Sequence, residues 1–307
     1  MRQHLKEVQE MSALLMILAC AAGEAEAKEL DFAREYLHAA ALQRESFGAG
    51  TLVVRYVSLD GNGKASAPKL LRCYFDGHRY RVDVVDDFVY RRLDKDARVK
   101  PGQPYEISLW DGSGVAFLRR FSVSSFQHQI MNHPKLGTPV FFNGKFLGFP
   151  TPYGPQVDLT EGMQLDYEIV GLERIGADVL AIKTRSTSDL DQTLVYHVDK
   201  SKGYALTRMQ NDTTYPDPMS ATGKVSYTAI ITTTLSKRGE SWFPSKVRHE
   251  QWKAGALDWA REYEVLQADL DAPPPAEVFR WSSTGIAPGD VVFSGVPGTP
   301  SYTWTAR

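Results

Sequence analysis

Hydrophobic residues recur with a helical period of 3.6 before about residue 46 and with a strand period of 2 after it. Residues 30–45 predict one helix, because their apolar side chains recur at helical spacing and form a single stripe. That stripe consists of Leu30, Ala33, Leu37, Ala40 and Ala41. Asp31 is placed to cap the start of the helix, and Gly48 and Gly50 follow its end. Beyond these glycines, apolar and polar residues alternate one by one, as they do in half-buried strands.

Short turn sequences separate the alternating segments. DGNGK at 60–64 and DGSG at 111–114 are rich in residues that tolerate positive φ, and both predict hairpins. A long run of hairpins indicates an antiparallel meander rather than alternating strands and helices. We therefore expect a mainly β fold with few helices, of the α+β class, in which about 11–12 strands form a curled, unclosed antiparallel β-barrel. The N-terminal helix and an inserted segment are expected to cover this sheet.

Residues 122–160 are the inserted segment, since they break the alternation and are rich in Phe, Gly and Pro. Five of their apolar side chains are too many for a bare surface loop, so we expect them to pack against the concave face of the sheet as an insert or lid. These are Phe141, Phe142, Phe146, Leu147 and Phe149. Residues 28–270 are expected to form a single domain, and residues 271–307 a Pro-rich C-terminal extension.

The N-terminal residues 1–27 have the organisation of a secretory signal peptide. Residues 12–22 form an apolar run that is short for a membrane span, Arg2 and Lys6 precede it, and AEA at 25–27 follows as a cleavage sequence. We expect an exported protein of the periplasm or cell envelope, with no transmembrane span in the mature chain. A buried helix in a cytosolic protein is the alternative interpretation of the apolar run.

The two cysteines, Cys20 and Cys73, bear on both export and stability. Cys20 closes the sequence ILAC, which resembles a bacterial lipobox, so lipidation of this residue is an alternative to simple cleavage after Ala27. In either case Cys73 is left without a partner cysteine. We expect no structural disulfide, and an apolar core must then hold the exported chain together.

Charge and motifs disfavour several classes of function. A net charge of -2 gives no electrostatic attraction to nucleic acid. HEQW at 249–252 lacks the second histidine of a zinc-protease helix, and GNGKAS at 61–66 lacks the upstream glycine of a P-loop. Ser113 lies in a predicted hairpin turn rather than in a nucleophile elbow. We expect no metal, no cofactor and no catalytic residue, and therefore no enzyme.

The order of several motifs resembles the periplasmic lipoprotein carriers, the outer-membrane lipoprotein-sorting or LolA-like family. The first pair is HRYRVDVV at 78–85 followed by ISLWDGSGVAFL at 107–118. The next is the strand–Asp-x-x-x-Gly–strand unit VYHVDKSKGYALTRM at 195–209. ESWFPSKVRHEQW at 240–252 and the acidic, Pro-rich exit VLQADLDAPPPAEVF at 265–279 complete the order.

This resemblance implies a curled sheet around an apolar cavity that holds acyl chains without covalent chemistry. The expected partner is a lipid or the acyl chain of a lipoprotein, and an envelope protein is a further expected partner. Strand alternation lets only part of the candidate cavity lining face inward. The candidates are Phe75, Tyr80, Val82, Leu109, Trp110, Phe117 and Phe142. The family's gating arginine corresponds to Arg79 or Arg81, with Arg72 as a nearby candidate.

Two other functions stay open at this stage. Trp242, Trp252 and Trp259 are candidates for a carbohydrate-stacking platform, and the first two share a face if their strand has no bulge. Asp83 with Asp86 or Asp87 is a candidate carboxylate pair for glycan hydrolysis. An exported carbohydrate-binding or glycan-active β-sandwich is therefore one alternative, and an envelope scaffold that binds other proteins is another.

Overall fold

The computed structural model describes twelve parts of the chain: residues 28–77, 79–85, 104, 106–112, 115–120, 126–131, 147–148, 167–187, 191–220, 222–286, 288–293 and 302–305. The predicted signal peptide and most of the predicted insert lie outside these ranges. None of the helices within them has the length and apolar character needed to cross a membrane.

The predicted helix is present as α1, which spans residues 28–45. Four residues of its predicted stripe are buried, whereas Leu30 is only partly buried. The described residues are helical from residue 28, two positions before the expected start, so Asp31 lies within the helix and does not cap it. Its carboxylate accepts a hydrogen bond from Arg34 at 2.6 Å instead.

The described residues contain fifteen strands, all in one sheet. The strands are β1 (Ala49–Asp60), β2 (Lys69–Asp76), β3 (Arg79–Val85), β4 (Glu106–Trp110), β5 (Val115–Arg120), β6 (Phe126–Met131), β7 (Tyr167–Arg174), β8 (Val179–Ser186), β9 (Asp191–Asp199), β10 (Ala205–Pro216), β11 (Lys224–Arg238), β12 (Ser241–Lys253), β13 (Ala256–Asp269), β14 (Val291–Phe293) and β15 (Tyr302–Thr303).

Two antiparallel meanders, β1–β6 and β7–β13, make up most of the sheet, and β1 joins them by pairing with β13. Strand β14 adds to β6 in parallel, and β15 adds to β14. The sheet is curled and not closed, because β15 and β7 are its two edges among the described strands. The predicted mainly β, unclosed antiparallel architecture is confirmed. The strand number is higher than predicted, since β6 lies in the predicted insert and β14 and β15 lie in the C-terminal extension.

Helix α1 covers one face of the sheet, which we call the inner face. The ring of Tyr36 meets that of Tyr204 edge-on at 5.0 Å, and Gln43 Nε2 donates to the backbone oxygen of Trp242 at 2.8 Å. Just after the helix, Phe47 packs edge-on against Phe243 at 5.1 Å. The buried residues of α1 and of the inner face form one continuous core cluster. Full burial of a large apolar side chain stabilises a fold by about 1.5–3 kcal/mol, so this layer holds the domain together.

The C-terminal extension covers part of the opposite, outer face. Two 3-10 helices, Ala276–Phe279 and Trp281–Thr284, follow the Pro-rich segment. Phe279 is buried against Leu109 in a second, smaller cluster. Both faces of β3 and β4 are therefore covered, which explains why nearly every residue in these two strands is buried.

Candidate functional site

The inner face changes from apolar to polar along each of its long strands. On β13 it carries Val265, Tyr263, Arg261 and Trp259 in that order, with no bulge between them on the strand. The first two belong to the core cluster beneath α1, whereas the last two are only partly buried. Because alternate residues of a strand share a face, this order places a polar group next to an apolar one along a single line.

The same change occurs on neighbouring strands. On β12 the buried Val247 is followed by His249, and on β10 the buried Met209 is followed by Asn211. We call the polar region the polar end of the inner face. It comprises Tyr167, Gln192, Asn211, Thr213, His249, Trp259 and Arg261. The inner face as a whole is thus amphiphilic, with its apolar part under the helix.

A chain of hydrogen bonds crosses one half of the polar end. Tyr167 Oη donates to Gln192 Oε1 at 3.1 Å, and Gln192 Nε2 donates to Asn211 Oδ1 at 2.9 Å. Thr213 Oγ1 donates to the same oxygen of Asn211 at 3.0 Å. These groups are neutral and satisfy one another, so this half of the polar end carries hydrogen-bonding capacity without charge.

The other half of the polar end holds a cation among aromatic rings. The guanidinium carbon of Arg261 lies 4.4 Å from the ring centroid of Trp259, within the range of a cation–π contact. Trp259 and His249 meet edge-on at 4.8 Å. Burial, together with the positive charge of Arg261, lowers the pKa of His249 to about 4. His249 is therefore neutral near pH 7, and Arg261 carries the positive charge of this cluster.

Tyr263 lies between this cluster and the apolar core. Its ring lies 5.2 Å from that of Tyr56 on the neighbouring strand, and its side chain is 8% exposed. Burial raises the pKa of Tyr263 to about 12, so the phenol stays protonated at neutral pH. The two tyrosines form the boundary at which the apolar part of the inner face ends.

The outer face of the same strands carries a ladder of paired charges. Arg55 pairs with Glu264 at 2.6 Å, and Arg248 pairs with Glu250 at 2.6 Å and also with Glu262. A groove of about 410 Å³ is lined by these residues. Its lining contains four basic and three acidic side chains, and most of these charges are paired with one another, so we do not take it as a ligand site.

Four of the predicted cavity residues lie together on the inner face. Phe75 pairs with Tyr80, Tyr80 pairs with Trp110, and Val82 lies two residues further along β3. All four are buried in the core cluster. Phe117 is in β5, but its side chain and the whole of Phe142 lie outside the described residues.

Cys20 lies outside the described residues, and the other predicted site residues, Leu109, Arg79 and Arg81, lie on the outer face. Leu109 is paired with Arg81 and packs on Phe279, because strand alternation turns it away from its neighbour Trp110. Arg81 Nη1 donates to the backbone oxygen of Val278 at 3.0 Å and to Ser283 Oγ at 2.6 Å, while Arg81 Nε donates to Asp83 at 2.6 Å.

The three candidate gate arginines lie on the outer face. Arg79 lies over the Phe279 ring at 4.9 Å and pairs with Asp76. Arg81, like Arg79, faces the C-terminal extension, and Arg72 shares this face by its register with Asp83. None of the three reaches the inner face, so their position suits attachment of the extension rather than control of a cavity there.

Two basic residues of the inner side escaped the sequence analysis. Arg44 of α1 is fully buried and lies 5.3 Å from the Phe243 ring, and burial lowers its pKa to about 9. Its position continues the apolar stripe of the helix, three and four residues after Ala41 and Ala40. Arg261 lies on the same face of β13 as the buried Tyr263 and Val265. In both cases, an arginine at a position where the periodic pattern predicts a buried residue was the signal available in the sequence.

Part of the predicted insert reaches the inner face. Leu147 is 3% exposed and belongs to the core cluster. A Cβ on the next residue, Gly148, would lie 2.6 Å from Thr233 Oγ1 and 3.3 Å from a methyl carbon of Val247. The prediction that apolar residues of the insert pack against this face is thus met at Leu147, while Phe141, Phe142, Phe146 and Phe149 lie outside the described residues.

The three tryptophans do not form one platform. Trp252 Nε1 donates to Glu250 Oε2 at 3.3 Å on the outer face, whereas Trp259 contacts His249 on the inner face. A register shift in β12 between Lys246 and Pro244 separates Trp242 from Trp252. The expectation that Trp242 and Trp252 share a face therefore does not hold, because a bulge changes which side chains of a strand share a face.

Three solved structures are similar to this chain. A DUF1329 family protein from Desulfovibrio piger has a TM-score of 0.50 and 10% sequence identity, over 83% of this chain and 98% of that one. A LolA superfamily protein from Nitrosomonas europaea has a TM-score of 0.48 and 11% identity, over 82% and 98%. A putative outer membrane lipoprotein-sorting protein domain from Vibrio parahaemolyticus has a TM-score of 0.48 and 9% identity, over 82% and 99%.

These similarities concern the fold alone, since sequence identity is low in every case. No protein-family model matches the chain, and no curated protein matches it.

Proposed function

We propose that this protein is a non-enzymatic, exported protein of the cell envelope that binds or carries a lipid or acyl chain on the inner face of its sheet. The observation that carries the proposal is the change from apolar to polar side chains along the inner face, for instance from Val265 to Arg261 on β13. An amphiphile has the same division between chain and head. Each CH₂ group removed from water contributes about 0.8 kcal/mol to binding.

The cover of the apolar part is suited to displacement. Helix α1 contributes three alanines, Ala33, Ala40 and Ala41, to its buried stripe. Their methyl groups bury less apolar surface than leucine side chains at the same positions would. At these three positions, a chain entering between α1 and the sheet therefore replaces a smaller area of contact than it would at leucines.

A buried polar atom on this surface has no partner in the absence of ligand. Trp110 is 3% exposed on the inner face, and its Nε1 donor has no hydrogen-bond partner in the described structure. A buried donor without a partner costs about 1–3 kcal/mol. An ester oxygen of a larger acyl ligand, distinct from its anionic head, would remove that cost.

The first test is to extract protein purified from its native host with organic solvent and to identify the lipids by mass spectrometry. A co-purifying lipid, together with saturable binding of a fluorescent fatty acid, is the expected result. Absence of both would overturn the proposal and would favour a scaffold that binds other proteins.

The second test places the ligand on the inner face. A fatty acid with a nitroxide near the end of its chain should quench tryptophan fluorescence on binding. Trp110→Phe should remove a large part of this quenching, because Trp110 is on the inner face. Trp252→Phe is the matched control, since its indole lies on the outer face. Equal loss in both variants would place the ligand elsewhere.

The export part of the proposal depends on residues 1–27. Cell fractionation should place the protein in the envelope, and the intact mass should show cleavage after Ala27 or a diacylated Cys20. An unprocessed chain in the cytosol would overturn this part and leave the binding part to stand on its own tests.

A further inference from the structure

Arg261 differs from the other arginines of its neighbourhood. Arg55 and Arg248, on the outer face of β1 and β12, pair with carboxylates. Arg261 forms no ion pair in the described part of the chain, although it is only half-buried and faces the inner side. It contacts the Trp259 ring, interacts with Tyr263 through charge and a hydrogen bond, and interacts with His249 through charge.

The acidic residues around Arg261 are directed elsewhere. Glu250 and Glu262 belong to the outer ladder through Arg248. Asp60, at the end of β1, accepts hydrogen bonds from the backbone N–H groups of Asn62 and Lys64 in its own turn. The positive charge on the inner face is thus not compensated by a neighbouring carboxylate.

The position of Arg261 matches the head of an amphiphile whose chain lies on the apolar part. Tyr263, the last residue of the core cluster on β13, is two residues away, which is about 7 Å along a strand. Trp259 fixes the guanidinium from one side by stacking. The planar fork of donors on the guanidinium suits a carboxylate or a phosphate.

We infer that Arg261, held by Trp259, is the subsite for the carboxylate or phosphate of an anionic amphiphile bound on the inner face. This inference rests on the proposed function and narrows its ligand class. A free anion offers the same oxygen atoms, and the experiment must therefore separate a lipid head from inorganic phosphate.

The test compares palmitate with monopalmitoylglycerol, which has the same chain and no charge, by calorimetry on the full chain. Arg261→Gln should weaken palmitate binding about tenfold or more, because a charge-assisted hydrogen bond is lost, and should leave the neutral ligand nearly unchanged. Arg261→Lys should recover part of the preference for palmitate. Arg55→Gln, which removes a charge of the same sign from the outer face, is the control and should change neither ligand.

Each result has a separate meaning. If Arg261→Gln weakens both ligands equally or neither of them, the anion subsite is overturned while the proposed lipid binding stands. If the parent protein binds neither ligand, the proposed function itself fails. If inorganic phosphate alone binds with the same dependence on Arg261 and displaces palmitate, the site serves free anions and the amphiphile is overturned. Thermal melts of each variant confirm that it is folded.

Discussion

His249 of β12 and Trp259 of β13 meet edge-on, with ring centroids 4.8 Å apart, on the inner face of the sheet. Arg261 contacts the same ring, with its guanidinium carbon 4.4 Å from the Trp259 centroid. Burial of the imidazole and the positive charge of Arg261 both disfavour protonation of His249.

This contact predicts a loss of stability in mild acid. The pKa of His249 is about 4 in the folded protein, against the ordinary histidine value of 6.5 in the unfolded chain. The unfolded state therefore binds the proton first as the pH falls, and the free energy of unfolding decreases between pH 6.5 and pH 4. The full loss from this residue is about 3 kcal/mol. Urea unfolding across this range measures it.

His249→Phe should flatten this pH dependence, because it keeps a ring against Trp259 and removes the titrating group. Burial and the charge of Arg208 also lower the pKa of His197, so a smaller slope of the same sign should remain. His38→Gln removes an exposed histidine of α1 and is the control. A slope that His249→Phe leaves unchanged would contradict the assignment.

The contact between Arg81 and the C-terminal extension predicts how that extension is attached. Arg81→Ala removes the hydrogen bonds to Val278 and Ser283 and takes the salt-bridge partner from the buried Asp83. Breaking a buried pair in this way costs about 3–5 kcal/mol. We expect faster proteolysis within residues 271–290, with the sheet still folded by circular dichroism.

Arg185→Ala is the matched control, since Arg185 is an exposed residue of β8. Ser283→Ala should have a smaller effect than Arg81→Ala, of about 1 kcal/mol, because the hydroxyl takes part in fewer contacts with the sheet. If the extension of Arg81→Ala resists protease as well as that of the parent chain, the packing of Phe279 alone holds it.

Local features of the fold could be predicted from the sequence, and distant ones could not. The turn at 60–64 forms as expected because Asp60 accepts hydrogen bonds from backbone groups only two and four residues away. The attachment of Ser283 to Arg81 spans 202 residues, and no periodic pattern records such a contact. Both faces of β4 are covered, so the adjacent Leu109 and Trp110 are both apolar, and no polar–apolar alternation indicated which of the two faces inward.

The candidate site was only half predictable for the same reason. The aromatic residues on β2, β3 and β4 were found from the resemblance, and their clustering follows from hairpin register. Arg261 was not found, because whether a carboxylate lies beside it depends on which residues of β1 and β12 share its face of the sheet. That arrangement requires β1 to pair with β13, a contact between distant parts of the sequence.

The close approach of Gly148 to the inner face gives a last prediction. Gly148 has φ of +84°, and a Cβ there would lie 2.6 Å from Thr233 Oγ1. Gly148→Ala should therefore destabilise the fold through both backbone strain and overpacking, by about 1–3 kcal/mol in thermal or urea unfolding. Gly203→Ala separates the two causes, since Gly203 has φ of +64° with no atom near the added methyl group. Thr233→Ala should relieve the clash and recover part of the stability of Gly148→Ala. If Gly148→Ala costs no more than Gly203→Ala, the segment at 147–148 does not press on the sheet, and a ligand could displace it freely.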